Sequence, residues 1–239
     1  MQASGEGAVQ PKLDLLRTRR VFFAHQSVGA NLLEGISTLG RAAPVLVEGA
    51  GLEPVAPGTW RHARLGTNGA ARGKLAELRE RMGAGLGAQV DVVLFKLCYL
   101  DVDAQTDVDA LHREISDTLA ALRRRFPHTR FVPMTVPLTA AQRGLRAKVK
   151  RALGALPGGV AENARRHALN QRLRADAGPL FDLARLEAED ALGNHAEVRW
   201  GAARVPVLAP GNTRDGGHLD TAARARIGRA LLEFVAGLP

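Results

Sequence analysis

Three residues of this 239-residue chain have the types and spacing that acyl-transfer chemistry needs. Ser27 lies in VFFAHQSVGANLLEGI (residues 21–36), where a buried-looking apolar run turns into a helical one. Asp215 and His218 are three apart in TRDGGHLD (213–220), just before the last amphipathic stretch. A serine hydroxyl is a poor nucleophile until a base takes its proton. A carboxylate in a glycine-rich turn can curl back to one imidazole nitrogen, fix the tautomer and leave the other nitrogen to face a serine. Ser27 alone also reads as a helix N-cap, and Asp220 as the cap of the final helix. Capping leaves the Asp215/His218 pair unexplained, whereas a strand-end serine combined with D-x-x-H before a last helix points to a triad.

Four further residues near the expected strand ends have weaker claims. His25 and Gln26, beside Ser27, are candidates for substrate binding, and His25 reads equally well as a structural histidine. Cys98 follows the apolar run VVLFKL and fits a small buried residue better than a nucleophile. Asp101 lies three residues beyond it. No Cys/His cluster has structural-zinc spacing, and neither a metal nor a cofactor is expected.

The surrounding pattern alternates strand and helix. Strands are expected at 20–24, 44–48, 90–97, 129–136 and 179–184, and helices at 28–39, 70–82, 107–126, 140–156, 161–177 and 221–238. Residues 49–67, rich in Gly and Pro, read as loop, as does most of the stretch from 185 to about 214. Such alternation is the signature of an α/β domain with a parallel sheet covered on both faces. In such sheets sites gather at the carboxyl ends of the strands. Residues 1–19 are expected to be a flexible extension and 20–239 a single domain.

Composition narrows the partners. The net charge is +9 and the pI about 10.8, yet only Lys12, Lys74, Lys96, Lys148 and Lys150 among the 33 basic residues are lysine. Aromatics are 4%, too few for the stacking platforms of single-strand binders, and no nucleic-acid module is recognisable. Nucleic acid is therefore not expected as a partner. No apolar run is long enough to span a membrane. As written, the chain is expected to be soluble and cytoplasmic, or periplasmic or secreted if a signal peptide was removed ahead of QASGEGA. A single cysteine excludes an internal disulfide.

With Ser27 near the start and D-x-x-H near the end, the chain resembles the SGNH/GDSL hydrolases over nearly its whole length. FFAHQSVGANLLEGI is similar to the first block, with His-Gln-Ser in place of Gly-Asp-Ser, as in a divergent bacterial branch. GTNGAARGKL resembles the second block and sets Gly73 at the glycine whose N–H faces the oxyanion. The third block departs: KLCYLDV has Asp101 but no Asn. The resemblance implies a three-layer α/β/α sandwich on a parallel, roughly five-stranded, flavodoxin-like sheet. It implies a catalytic triad of Ser27, His218 and Asp215, and an oxyanion hole using the N–H groups of Ser27 and Gly73. Asn68, in the T-N-G turn, is the expected replacement for the missing Asn, if there is one. The activity implied is hydrolysis of a carboxylic ester, such as an acylated carbohydrate. The alternatives are an acyltransferase with the same triad and a non-catalytic polysaccharide- or protein-binding module.

Overall fold

The computed structural model describes residues 16–49, 51, 53–142, 158–200 and 202–239. Residues 1–15 of the expected extension, and most of the helix expected over 140–156, lie outside them.

Five parallel strands form the central sheet: β1 (Val21–His25), β2 (Val45–Glu48), β3 (Thr59–Arg64), β4 (Val92–Phe95) and β5 (Arg130–Pro133), in the order β2-β3-β1-β4-β5. β1 is central because all five of its residues can be buried, as a strand covered on both faces requires. It pairs Val21 with Trp60 of β3 and with Val92 of β4. Beyond β5, Phe181 makes one parallel bridge to Met134. Leaving out the edge strand β2 and adding this bridge reproduces the 2-1-3-4-5 order of flavodoxin-like sheets.

Among the described residues, six α-helices complete the layers: α1 (Val28–Ser37), α2 (Ala71–Gly83), α3 (Val108–Arg125), α4 (Val160–Ala175), α5 (Leu183–Ala188) and α6 (Thr221–Ala236). One face of the sheet packs Phe23 and Leu94 with Leu32 and Ile36 of α1 and Ile227 and Leu231 of α6. The other packs Phe22 and Val93 with Leu78 of α2, Leu119 of α3 and Leu169 of α4. The result is the three-layer α/β/α sandwich.

Three elements differ from the sequence reading. β3 lies inside the stretch expected to be loop, and the strand expected at 179–184 shrinks to the Phe181 bridge. There Asp182 accepts from Arg185 N and caps α5, so the chain turns helical at Leu183. An antiparallel hairpin, β6 (Glu197–Trp200) with β7 (Ala203–Pro206), also occupies the expected loop. Residues 16–19 belong to the folded body: Leu16 is in the core, and Arg19 bonds the Leu238 carbonyl near the other end of the chain.

The contact that matters most for the site is between α1 and α6. A Cβ on Gly35 would lie 1.9 Å from the Arg224 carbonyl oxygen, and one on Gly228 would lie 2.9 Å from Gly35 C. Glycine on both helices lets their backbones touch. The start of α1 is thereby fixed against the loop that leads into α6.

Candidate active site

Ser27 stands at the junction of β1 and α1 with φ 48 and ψ −108, the only non-glycine residue at positive φ among the described residues. This backbone is costly for a side chain with a Cβ and persists only where its surroundings impose it. Two neighbours impose it. Gln26 Nε2 donates to the Leu65 and Gly66 carbonyls at 2.9 and 2.8 Å, tying the turn to the end of β3. Gly29 lets α1 begin directly over His25, because a Cβ there would be 2.3 Å from His25 Cβ.

Ser27 occupies the N-cap position of α1, but its side chain makes no capping bond. Its Oγ lies 2.8 Å from His218 Nε2. On the other side of the ring, His218 Nδ1 lies 2.7 Å from Asp215 Oδ2. Asp215 Oδ1 accepts from His218 N at 2.7 Å and Gly217 N at 2.9 Å. These backbone donors, His218 N foremost, hold the Asp215 carboxyl well below the usual carboxylate range, so it is charged at neutral pH. The charge requires the proton on Nδ1 and leaves Nε2 to accept from Ser27. Asn31 of α1 secures the arrangement by accepting from Leu219 N at 3.1 Å, one residue beyond the histidine.

The third-block side is built differently. Asp101 is buried and accepts from Gly69 N at 2.8 Å, Cys98 N at 2.6 Å and Lys74 Nζ at 2.6 Å. Lys74 Nζ also donates to Asn68 Oδ1 at 3.0 Å. Asn68, itself exposed, is thus tied to the buried Lys74–Asp101 pair that joins two loops. Gly73 lies in the first turn of α2 and lines a groove with Asp101, Thr106, Asp107 and Leu111. Among the described residues, neither Asn68 nor Gly73 is joined by a hydrogen bond to Ser27 or His218. Ser27, His218 and Asp215 come together, and the other two stand outside that set.

His25 and Gln26 lie beneath and beside the serine turn. His25 is 3% exposed, and its Nε2 meets His62 Nδ1 at 3.2 Å beneath the turn. Burial first, then the nearby cations, push its imidazole down to about 3. Gln26 has its amide nitrogen committed to two carbonyls. Both residues shape the turn that holds Ser27. Cys98 is wholly buried, as its apolar setting suggested.

Asn163 and Asn170 of α4 are buried and tie the helix to the segment that follows β5. Asn170 accepts from Val136 N and donates to Val136 O, and Asn163 makes the same pair of bonds to Thr139. Tyr99 escaped sequence reasoning altogether. Its ring meets that of His218 edge-on, with centroids 6.3 Å apart, and Ser27 is among the side chains that act on its phenol. The available signal was its position between Cys98 and Asp101, both already noted at a strand end. Among the described residues, no group of three or more His, Cys, Asp or Glu side chains could hold a metal ion. Nor is any helix among them long and apolar enough to cross a membrane.

No family profile matches the chain, and no curated protein does. Solved structures do. A Streptococcus pneumonia protein provisionally named a platelet activating factor is 15% identical with a TM-score of 0.53, over 96% of this chain and 92% of its own. A lipase/acylhydrolase from Enterococcus faecalis is also 15% identical with a TM-score of 0.51, over 91% and 96%. At that identity the likeness establishes the fold alone, the three-layer α/β/α sandwich described above.

Proposed function

We propose that this chain, on its SGNH/GDSL fold, is a serine esterase that works through Ser27, His218 and Asp215. The observation carrying this reading is the unbroken line from Ser27 Oγ through both His218 nitrogens to Asp215, at 2.8 and 2.7 Å, starting from a strained serine. Ser27 Oγ attacks the ester carbonyl carbon while its proton passes to His218 Nε2. The carbonyl π electrons move onto oxygen, and the ten-residue helix α1 directs its positive end at that region. Collapse of the intermediate breaks the carbon–oxygen bond to the alcohol, which leaves with the proton held by His218. Water repeats the sequence on the acyl-enzyme, giving the carboxylic acid and free Ser27. Asp215 holds the imidazole tautomer and stabilises the imidazolium throughout.

The substrate we infer is a small or carbohydrate-borne carboxylic ester. An acyltransferase would share every step except the last, with a sugar hydroxyl replacing water. A vestigial binding module is disfavoured by the intact hydrogen bonds and by strain maintained at Ser27. The test is hydrolysis of p-nitrophenyl acetate by the full chain, with product analysis when a candidate sugar is added. We expect acetate release that disappears in Ser27→Ala; equal release by that variant would remove the serine mechanism. Acetyl transfer to the sugar in preference to water would favour the transferase.

A further inference from the structure

The third block of this chain has no asparagine to meet an oxyanion, and Asn68 is anchored to Lys74. What faces the nucleophile from that block is Tyr99, the one tyrosine in the sequence. It begins the short turn Tyr99–Asp101 that follows β4, so its backbone stands on the same rim as Ser27.

Three contacts set the direction of its ring. Arg166, buried on α4, donates from Nε to the Tyr99 carbonyl at 3.0 Å and to the Val102 carbonyl at 3.2 Å. The same guanidinium lies 5.7 Å from the ring centroid, and its other end is held by Thr139 Oγ1 and Asn163 Oδ1. On the far side the hydroxyl meets the last loop at Gly217, where a Cβ would lie 3.0 Å from Tyr99 Oη. The second glycine of D-G-G-H therefore leaves room for the phenol beside Ser27 and His218.

Ser27 commits its proton to His218, so towards Oγ, or an oxygen bound beside it, the phenol can act only as a donor. Burial pushes the phenol above its ordinary range, which keeps that proton in place at neutral pH. A donor held on this rim beside His218 and Gly217 stands near the carbon that Oγ attacks and the oxygen attached to it.

We propose that the Tyr99 hydroxyl is the oxyanion donor that replaces the absent asparagine. As Ser27 Oγ bonds to the carbonyl carbon and its proton moves to His218, the carbonyl oxygen gains the π electrons. Tyr99 Oη–H then donates to that oxygen without giving up its proton. The assignment makes Tyr99 a catalytic residue and rests on the serine esterase reading.

The test compares wild type, Tyr99→Phe and Ser27→Ala by p-nitrophenyl acetate turnover and by the rate of labelling with a fluorophosphonate. Tyr99→Phe is expected to lower kcat and the labelling rate roughly 10–10²-fold, with KM changed about twofold or less. A second readout uses the single tyrosine. The groups facing the phenol are Ser27, Asp215 and His218, Cys98 on its own turn and Arg166. Tyrosinate absorbance reports the phenol alone among them. Wild-type kcat should fall on the alkaline side together with that absorbance change, since a phenolate cannot donate, and Tyr99→Phe should lack this limb.

Should Tyr99→Phe fail to fold, biosynthetic fluorotyrosine alters only this residue and makes the phenol more acidic. The alkaline limb must then move to lower pH with the absorbance titration. A Tyr99→Phe enzyme within about threefold of wild type, while Ser27→Ala is inactive, would overturn the donor role and leave the esterase reading standing. So would an alkaline limb that ignores fluorination. A chain in which Ser27→Ala reacts like wild type, or in which wild type neither turns over nor labels, would overturn the esterase reading and this proposal together.

Discussion

The two sides of the rim are held by opposite physics. On one, the side chains of His218 and Asp215 are 41% and 57% exposed, and their order comes from short hydrogen bonds within a four-residue turn. On the other, the side chains of Lys74 and Asp101 are both 0% exposed, and their order comes from a sealed ion pair with backbone donors around it. Exposed ion pairs contribute little to folding. A buried charge left without its partner costs about 3–5 kcal/mol. The exposed side should therefore be dispensable for folding and indispensable for turnover, whereas the buried side should matter first for stability.

The largest expected effect lies on the exposed side. His218→Ala should lower ester turnover about 10³-fold or more, because the residues of a triad act as a unit. Its urea midpoint should barely move. Asp215→Asn should cost less turnover than His218→Ala, since the amide oxygen can still orient the ring. A His218→Ala variant that unfolds early would erase the contrast.

Lys74→Met probes the buried side. Leaving Asp101 without its cation should cost about 3–5 kcal/mol in urea unfolding. A loss well below about 1 kcal/mol would mean that the backbone donors satisfy Asp101 by themselves.

The base of the serine turn gives a smaller, pH-dependent effect. With its pKa held at about 3, folded His25 stays neutral while the unfolded imidazole protonates below its reference value of about 6.5. The unfolded state then binds more protons, so stability falls as pH drops through that window. Between pH 7 and about pH 4.5 the wild type should lose roughly 2–3 kcal/mol more than His25→Leu. Equal losses would mean that His25 charges within the fold.

Asn68 should give the smallest effect. Its side chain supplies one of two polar partners of Lys74 Nζ, so Asn68→Ala should cost about 1 kcal/mol of stability. Turnover should stay within about threefold; a 10²-fold fall in kcat would return Asn68 to the oxyanion hole and weaken the case for Tyr99.

What could be read from sequence follows the same division. The Asp215/His218 pair is local, so its spacing displays its chemistry, and Ser27 is marked by the strand-to-helix switch around it. The partners of Tyr99, Asp101 and Arg166 come from separate elements, and no local spacing records them. The sheet teaches the same lesson. Thr59–Arg64 escaped notice because Arg61 and His62 are polar, yet both find distant partners. Arg61 reaches the Gly51 and Glu53 carbonyls, and His62 meets His25. PLFDLA erred the other way: an apolar run looked like a strand, and the capping Asp182 ended it after one bridge.

The central claim is that Ser27 is a nucleophile activated by His218, and intact-mass spectrometry after fluorophosphonate treatment tests it most directly. Serine attack on phosphorus expels fluoride and leaves a stable Ser27–O–P bond, so one phosphonyl group should add to the wild-type chain. Peptide mapping should find it on Ser27, with no addition in Ser27→Ala and slow addition in His218→Ala. An unmodified wild-type chain, or equal modification of Ser27→Ala, would contradict the account.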